Sequence, residues 1–190
     1  MRRNLDLLAE RRLRLPPSEA LAELRADIVR AAYVEGEFVL ADGVRSNYYF
    51  DKYLFETRPA VLRRLACFLG DLVPREAERL AAPALGAVAL GTAVSLELGL
   101  PLVIVRLDRE PGSPRQIEGE LYADEEVILI EDVVVTGSRA LRAISRVSDA
   151  GARVGQVVSV LDRREGAAER FSEEAVGYRH LFTPQELGIV

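Results

Sequence analysis

The chain is poor in several residue types, and each scarcity narrows what it can be. Among its 190 residues there is one cysteine, Cys67, so no disulfide can form within it. Cys67 lies in the apolar run Leu65-Ala-Cys-Phe-Leu69 and reads as a small buried hydrophobe rather than a nucleophile. A reducing, cytoplasmic compartment suits such a chain. No apolar run reaches the ~18 residues that a membrane span needs. The opening Met1-Arg-Arg-Asn-Leu-Asp-Leu-Leu8 lacks a signal peptide's long apolar stretch and small-residue cleavage site. Of 25 basic residues only Lys52 is a lysine. That matters for any site, because arginine's planar fork does not replace a compact ammonium. Positive charge is also outweighed: the formal net charge is −5 and the pI about 5.1, which argues against a nucleic-acid partner. There is no internal repeat and no low-complexity segment.

What is present describes an ordinary globular protein. Hydrophobic residues make up 49% and charged residues 29%, enough to bury a core in one domain with a small appended element. Leu5 to Leu15 has helical spacing and ends at Pro16-Pro17; the first fourteen residues carry five arginines, read as a solvated helix face. Ser18 is expected to cap a second amphipathic helix running to about Ala32. Residues 1–36 thus form a helical arm or hood, and residues 37–190 the main domain. Glu37 to Gly43 and Asn47 to Asp51 read as two short strands around a turn. A helix follows from Pro59 to Leu72, with Thr57 as its expected N-cap. Beyond it apolar strands (80–85, 102–106, 127–130, 155–161, 178–182) alternate with helices (92–98, 138–150, 166–175). That alternation predicts an α/β fold, a parallel sheet flanked by helices on both faces. Ligands of such sheets sit at the carboxyl ends of the strands.

One of those ends carries a dense signal. The strand Val127-Ile-Leu-Ile130 runs straight into Glu131-Asp132, then Val133-Val-Val135-Thr136-Gly137-Ser138, then a helix. Two adjacent carboxylates at the end of a central strand are unfavourable to bury without partners, and ribose hydroxyls or a bound cation would satisfy them. The Thr-Gly-Ser turn offers backbone amides at a helix N-terminus, where the dipole favours an anion. Gly137 permits close backbone approach, and the hydroxyls of Thr136 and Ser138 can donate to phosphate oxygens. The segment is therefore expected to hold a ribose phosphate. Gly86-Ala-Val-Ala-Leu-Gly91-Thr92 has the glycine spacing of a P-loop without its lysine, and no G-x-G-x-x-G follows any expected strand.

Glu131 to Ser138 resembles the ribose-phosphate signature of type I phosphoribosyltransferases, which use 5-phosphoribosyl 1-diphosphate. Leu40-Ala-Asp-Gly43 through Ser46-Asn-Tyr-Tyr-Phe-Asp51, Ala84 to Gly91, Ile117-Glu-Gly119 and Leu161-Asp-Arg163 through Glu165-Gly166 are similar to segments of the orotate phosphoribosyltransferase kind. The resemblance implies a type I phosphoribosyltransferase-like fold with an N-terminal hood, a homodimer, and Mg²⁺-dependent phosphoribosyl transfer to orotate. It gives Glu131 and Asp132 the ribose hydroxyls, with Asp132 catalytic. Val135, Thr136, Gly137 and Ser138 take the 5′-phosphate, within reach of Arg139. Arg163 takes the orotate carboxylate, Tyr49 and Phe50 line the base pocket with Arg45 nearby, and Arg106 takes the diphosphate.

The sequence departs from the family at a mobile loop of pattern R-K-x-x-K-x-H-G. Here Arg106-Leu-Asp-Arg-Glu-Pro-Gly112 keeps the arginine, but its first lysine position is Leu107 and the catalytic lysine falls on Glu110 or Arg109. Gly86 stands at a further lysine position, Arg109 and Arg115 are the expected compensating cations, and Arg109 is assigned as catalytic. Slow turnover is expected, rising when Leu107→Lys, Glu110→Lys and a histidine before Gly112 restore the pattern. The lone His180 is expected to be structural, away from the site. Two other readings stand beside the orotate enzyme: a ribose-phosphate-binding sensor or regulator without catalysis, and a transferase for another nucleobase. A purely structural scaffold leaves the acid pair without a purpose.

Overall fold

The computed structural model describes residues 16–39, 45–108 and 116–189. The arginine-rich start, residues 40–44 and residues 109–115 lie outside the described residues, so the expectations for Arg109, Glu110 and Arg115 fall there. The chain divides into two compact units, Met1–Arg64 and Leu65–Val190.

The first unit holds helix α1 (Pro17–Ala32), an antiparallel hairpin of β1 (Tyr33–Val39) and β2 (Arg45–Phe50), and the short helix α2 (Lys52–Glu56). Helix α1 forms because Ala20, Leu24, Ile28 and Ala31 recur at helical spacing, and these are the residues it buries. Its N-cap is Pro16 rather than Ser18, with Pro17 as the first helical residue, a position where the missing N–H costs nothing. Thr57 likewise closes α2 instead of opening the next helix, while Asp51 caps α2 by accepting the N–H of Tyr53. Helix α2 escaped the sequence reading because five residues show little periodicity. The hairpin carries Arg45, Tyr49 and Phe50; the Tyr49 ring lies tilted against Phe38 at 5.5 Å and Phe50 against Phe55 at 5.7 Å.

Helix α3 (Pro59–Gly70) spans the boundary between the units. The second unit is a six-stranded sheet of β3 (Arg79–Pro83), β4 (Leu102–Val105), β5 (Ile117–Glu118), β6 (Glu126–Val134), β7 (Arg153–Asp162) and β8 (Gly177–Phe182), in the order β5-β4-β3-β6-β7-β8. All neighbours pair in parallel except the edge strand β5, which returns antiparallel on β4. Helices α4 (Val88–Leu98), α5 (Ser138–Asp149), α6 (Ala167–Glu173) and α7 (Pro184–Leu187) complete it. Val127, Leu129, Val157, Ala140, Ala143, Val147 and Phe171 form the core between the sheet and helices α5 and α6. Gly91 is a packing residue within α4: a Cβ there would come 2.7 Å from that of Ala82 on β3. No helix among the described residues is long and apolar enough to cross a membrane.

Candidate active site

Strand β6 is longer than the apolar run predicts, and this places the acid pair. Glu131 and Asp132 lie inside the strand rather than after it, because β7 continues alongside: Glu131 pairs with Ser159, Val133 with Leu161 and Val134 with Asp162. The ladder hydrogen bonds hold both backbones, and only 2% of each acid is exposed. The Asp132 carboxylate accepts the N–H of Val133 at 2.5 Å.

The chain then leaves the sheet through Val135 and Thr136, and Gly137 takes a left-handed conformation, φ +76°, as the N-cap of α5. A Cβ at Gly137 would meet the Phe171 ring at 3.1 Å and the Ala167 methyl at 3.3 Å. Glycine is therefore required twice, for its φ and for its lack of volume. Gly137 has no side chain to cap α5, and Thr136 Oγ1 accepts the Ser138 N–H only at 3.5 Å. Thr136 Oγ1 and Ser138 Oγ lie 2.9 Å apart across the turn. A helix N-terminus flanked by two hydroxyls is suited to a phosphate.

Three arginines tie the loops at this edge of the sheet. Arg139 donates to the carbonyl of Ala84, at the end of β3, rather than to the turn beside it. One turn on, Arg142 donates to the carbonyl of Leu107 at 2.8 Å. Arg170, on α6, donates to the Thr136 carbonyl at 3.0 Å and to Ser138 Oγ at 2.7 Å. Sequence reasoning singled out only Arg139 of the three.

Arg163 sits where the sequence suggests, just past β7, its backbone N–H held by the carbonyl of Val134 and its guanidinium 3.2 Å from Glu165. Arg106 leaves β4 with its N–H on the carbonyl of Gln116 and its Nε donating to Glu118 of β5 at 2.9 Å. Leu107 is only 5% exposed and belongs to the core, so a lysine there would enter the core rather than a substrate site. That corrects the expectation for position 107. His180 stands nearer than its place in sequence implies: it pairs with Ser159, the partner of Glu131, and its Nδ1 is 3.8 Å from Asp162 Oδ2. Beside it the Tyr178 hydroxyl and Ser159 Oγ are 3.0 Å apart. Burial pushes the Tyr178 phenol well above its ordinary pKa, and the charges of Asp162 and Glu131 push it the same way. That tyrosine stays protonated, with Ser159 as its hydrogen-bond partner. Arg45, Tyr49 and Phe50 belong to the other compact unit, described above.

Residues 59–178 match the family model of the phosphoribosyl transferase domain. The orotate phosphoribosyltransferase of Natronomonas pharaonis is 44% identical over 153 residues, covering 80% of this chain and 87% of its own. That of Haloquadratum walsbyi is 39% identical over 175 residues, covering 91% and 95%. Among solved structures, Mycobacterium tuberculosis orotate phosphoribosyltransferase in complex with 5-phospho-α-D-ribosyl 1-diphosphate superposes with a TM-score of 0.77 at 28% identity, over 89% of this chain and 99% of that one. A parallel sheet ending in a buried acid pair and a glycine turn, matched by this domain model and these relatives, places the chain in the type I phosphoribosyltransferase family, among its orotate phosphoribosyltransferase-like members.

Proposed function

We propose that the protein transfers the phosphoribosyl group of 5-phosphoribosyl 1-diphosphate to orotate, releasing diphosphate, in pyrimidine nucleotide synthesis. The observation that carries this is the Glu131-Asp132 pair, buried on β6 and joined through Val135 to the Thr136-Gly137-Ser138 turn at the start of α5. In this reading Glu131 and Asp132 hold the ribose hydroxyls. Their fixed negative charge offsets the positive charge that grows on the ring as its bond to diphosphate stretches. The turn and the backbone of Val135 hold the 5′-phosphate. Arg163 pairs with the orotate carboxylate, exchanging its half-exposed contact with Glu165 for a charge-assisted pair. Arg106 faces the diphosphate, with Arg109 as the catalytic cation. Arg45, Tyr49 and Phe50 contribute to the base pocket. A homodimer in the cytoplasm belongs to the same proposal.

Magnesium fits the residues present in one way. Among the described residues no group of three or more histidines, cysteines or acids could hold a metal ion. Mg²⁺ commonly keeps several waters and binds through one or two carboxylates plus substrate phosphates, and the acid pair can supply that. Bound with the substrate, it would neutralise diphosphate charge.

One observation favours a second reading, a ribose-phosphate-binding protein without turnover: Leu107 lies buried where the family pattern has a lysine. An assay with orotate, the activated sugar and Mg²⁺ separates the two. The wild type is expected to form orotidine monophosphate, and Asp132→Asn to lose roughly a hundredfold or more in kcat, the scale of losing one oriented electrostatic group. Binding of ribose 5-phosphate with no product from orotate would overturn the proposal and leave the second reading standing.

A further inference from the structure

Arg170 belongs to none of the motifs read from the sequence, yet no other side chain described here reaches the phosphate turn through two hydrogen bonds from one nitrogen. Its Nη1 donates to the Thr136 carbonyl at 3.0 Å and to Ser138 Oγ at 2.7 Å. Its neighbours on α6, Ala167 and Phe171, are the residues that close on Gly137. One face of α6 is therefore applied to the whole turn. We propose that Arg170 is a positioning residue for the sugar-phosphate site, fixing the Thr136-Gly137-Ser138 backbone and aiming the Ser138 hydroxyl at the 5′-phosphate. This rests on the reading of that turn as the phosphate cradle.

Two pieces of geometry give the role its content. In a trans peptide the C=O and the following N–H point opposite ways. Pinning the Thr136 carbonyl to Arg170 thus fixes the Gly137 N–H toward the other side of the turn. A hydroxyl has one hydrogen and two lone pairs. Because Ser138 Oγ accepts from a guanidinium, its hydrogen is left to donate, either to Thr136 Oγ1 at 2.9 Å or to a phosphate oxygen. A charged donor behind a hydroxyl polarises it and strengthens the bond it gives onward. Arg170 is itself exposed, so its effect runs through these two contacts rather than through a desolvated charge.

The test is calorimetry with ribose 5-phosphate, with steady-state kinetics for both substrates on the full chain. Arg170→Ala is expected to bind ribose 5-phosphate about tenfold more weakly, the scale of a charge-assisted hydrogen bond, with a matching rise in KM for the activated sugar. KM for orotate and kcat should stay within about twofold, and Tm within a few degrees. Arg170→Lys should recover part of the loss, since an ammonium can still donate to Ser138. Ser138→Ala should cost less in the Arg170→Ala background than in wild type, because the two act in series. Unchanged ribose 5-phosphate affinity in Arg170→Ala overturns the role. So does an equal fall for both substrates accompanied by a large drop in Tm, which marks a merely structural arginine. If the wild type itself does not bind ribose 5-phosphate, the reading of the turn fails and the role of Arg170 fails with it.

Discussion

The two ends of the six-stranded sheet employ arginine in opposite ways. At the amino end Arg79 is nearly buried and makes two 2.7 Å hydrogen bonds to the carboxylate of Glu125, with the Tyr122 ring 5.5 Å away. Cation and anion satisfy each other there. At the carboxyl end Arg139, Arg142 and Arg170 donate to the carbonyls of Ala84, Leu107 and Thr136. Those arginines fix the shape of three loops, while the acids of that end, Glu131 and Asp132, lie in the strand between them. At the amino end, where Arg79 and Glu125 satisfy each other, the pair contributes to folding alone. A group whose partner is a loop backbone contributes to the geometry of what the loop binds. Stability and function are thus expected to separate along the strand direction.

The largest effect should come from breaking the amino-end pair. Arg79→Ala leaves Glu125 in a place where only 16% of its side chain is exposed. A loss of roughly 3 kcal/mol is expected, near the lower limit for a broken buried pair because this one keeps some solvent. Ribose 5-phosphate affinity should be unchanged. The comparison would fail if Arg79→Ala lowered ligand affinity as much as Tm. A pH series sharpens it. The hydrogen bond from Arg79 holds the Glu125 carboxyl below its ordinary value, against the opposing effect of burial. A lowered folded pKa gives stability that is present above the unfolded value, ~4.3, and lost as pH falls through the folded one. The gap in Tm between wild type and Arg79→Ala should therefore narrow as pH is taken from 6 down to 3.

A second test lies at the mouth of the loop after β4. Leu107→Lys puts an ammonium into the core cluster that includes Val105 and Ala140, and about 2–3 kcal/mol of stability should be lost even if the long stem lets the charge reach water. Turnover per folded molecule should not rise. A gain of tenfold in kcat without loss of Tm would mean that position 107 faces the leaving group after all.

How far these features could be read in advance depended on whether their cause was local. The parallel strands and flanking helices announced themselves, because buried strands must be nearly continuous in apolar residues and helices must not. The acid pair and the Thr-Gly-Ser turn were legible for the same reason, being consecutive residues with one chemical purpose. Strand β6 was read too short because periodicity sees Glu131 and cannot see that β7 pairs alongside it. Leu107 was misjudged by alignment to a pattern, which carries no information about which side of the chain meets the core. Arg170 escaped altogether, and His180 was expected to stand away from the site. Each is defined by a contact across at least eighteen residues of sequence, 32 from Ser138 to Arg170, and no spacing rule reaches that far.

The smallest effect is expected at the turn itself, and it tests the carboxyl end most directly. Gly137→Ala asks a residue with a Cβ to hold φ +76° and brings that Cβ to 3.1 Å from Phe171. The backbone strain is about 1 kcal/mol, and the crowding adds a comparable amount unless α6 gives way. If α6 gives way, Arg170 moves with it and its hydrogen bonds to Thr136 and Ser138 lengthen. Either route should lower Tm by several degrees at most, the shift that about 2 kcal/mol gives in a chain of this size. Ribose 5-phosphate affinity should fall by more than the stability change alone predicts, because the amides and hydroxyls that meet the phosphate are displaced together. Orotate affinity, which depends on Arg163 past β7, should fall less. Measured side by side with Arg79→Ala, the two variants should form a crossed pair, one losing stability and keeping ligand, the other keeping most stability and losing ligand. If Gly137→Ala instead lost stability and kept full affinity for ribose 5-phosphate, the turn would be a packing device and the separation between the two ends of the sheet would not hold.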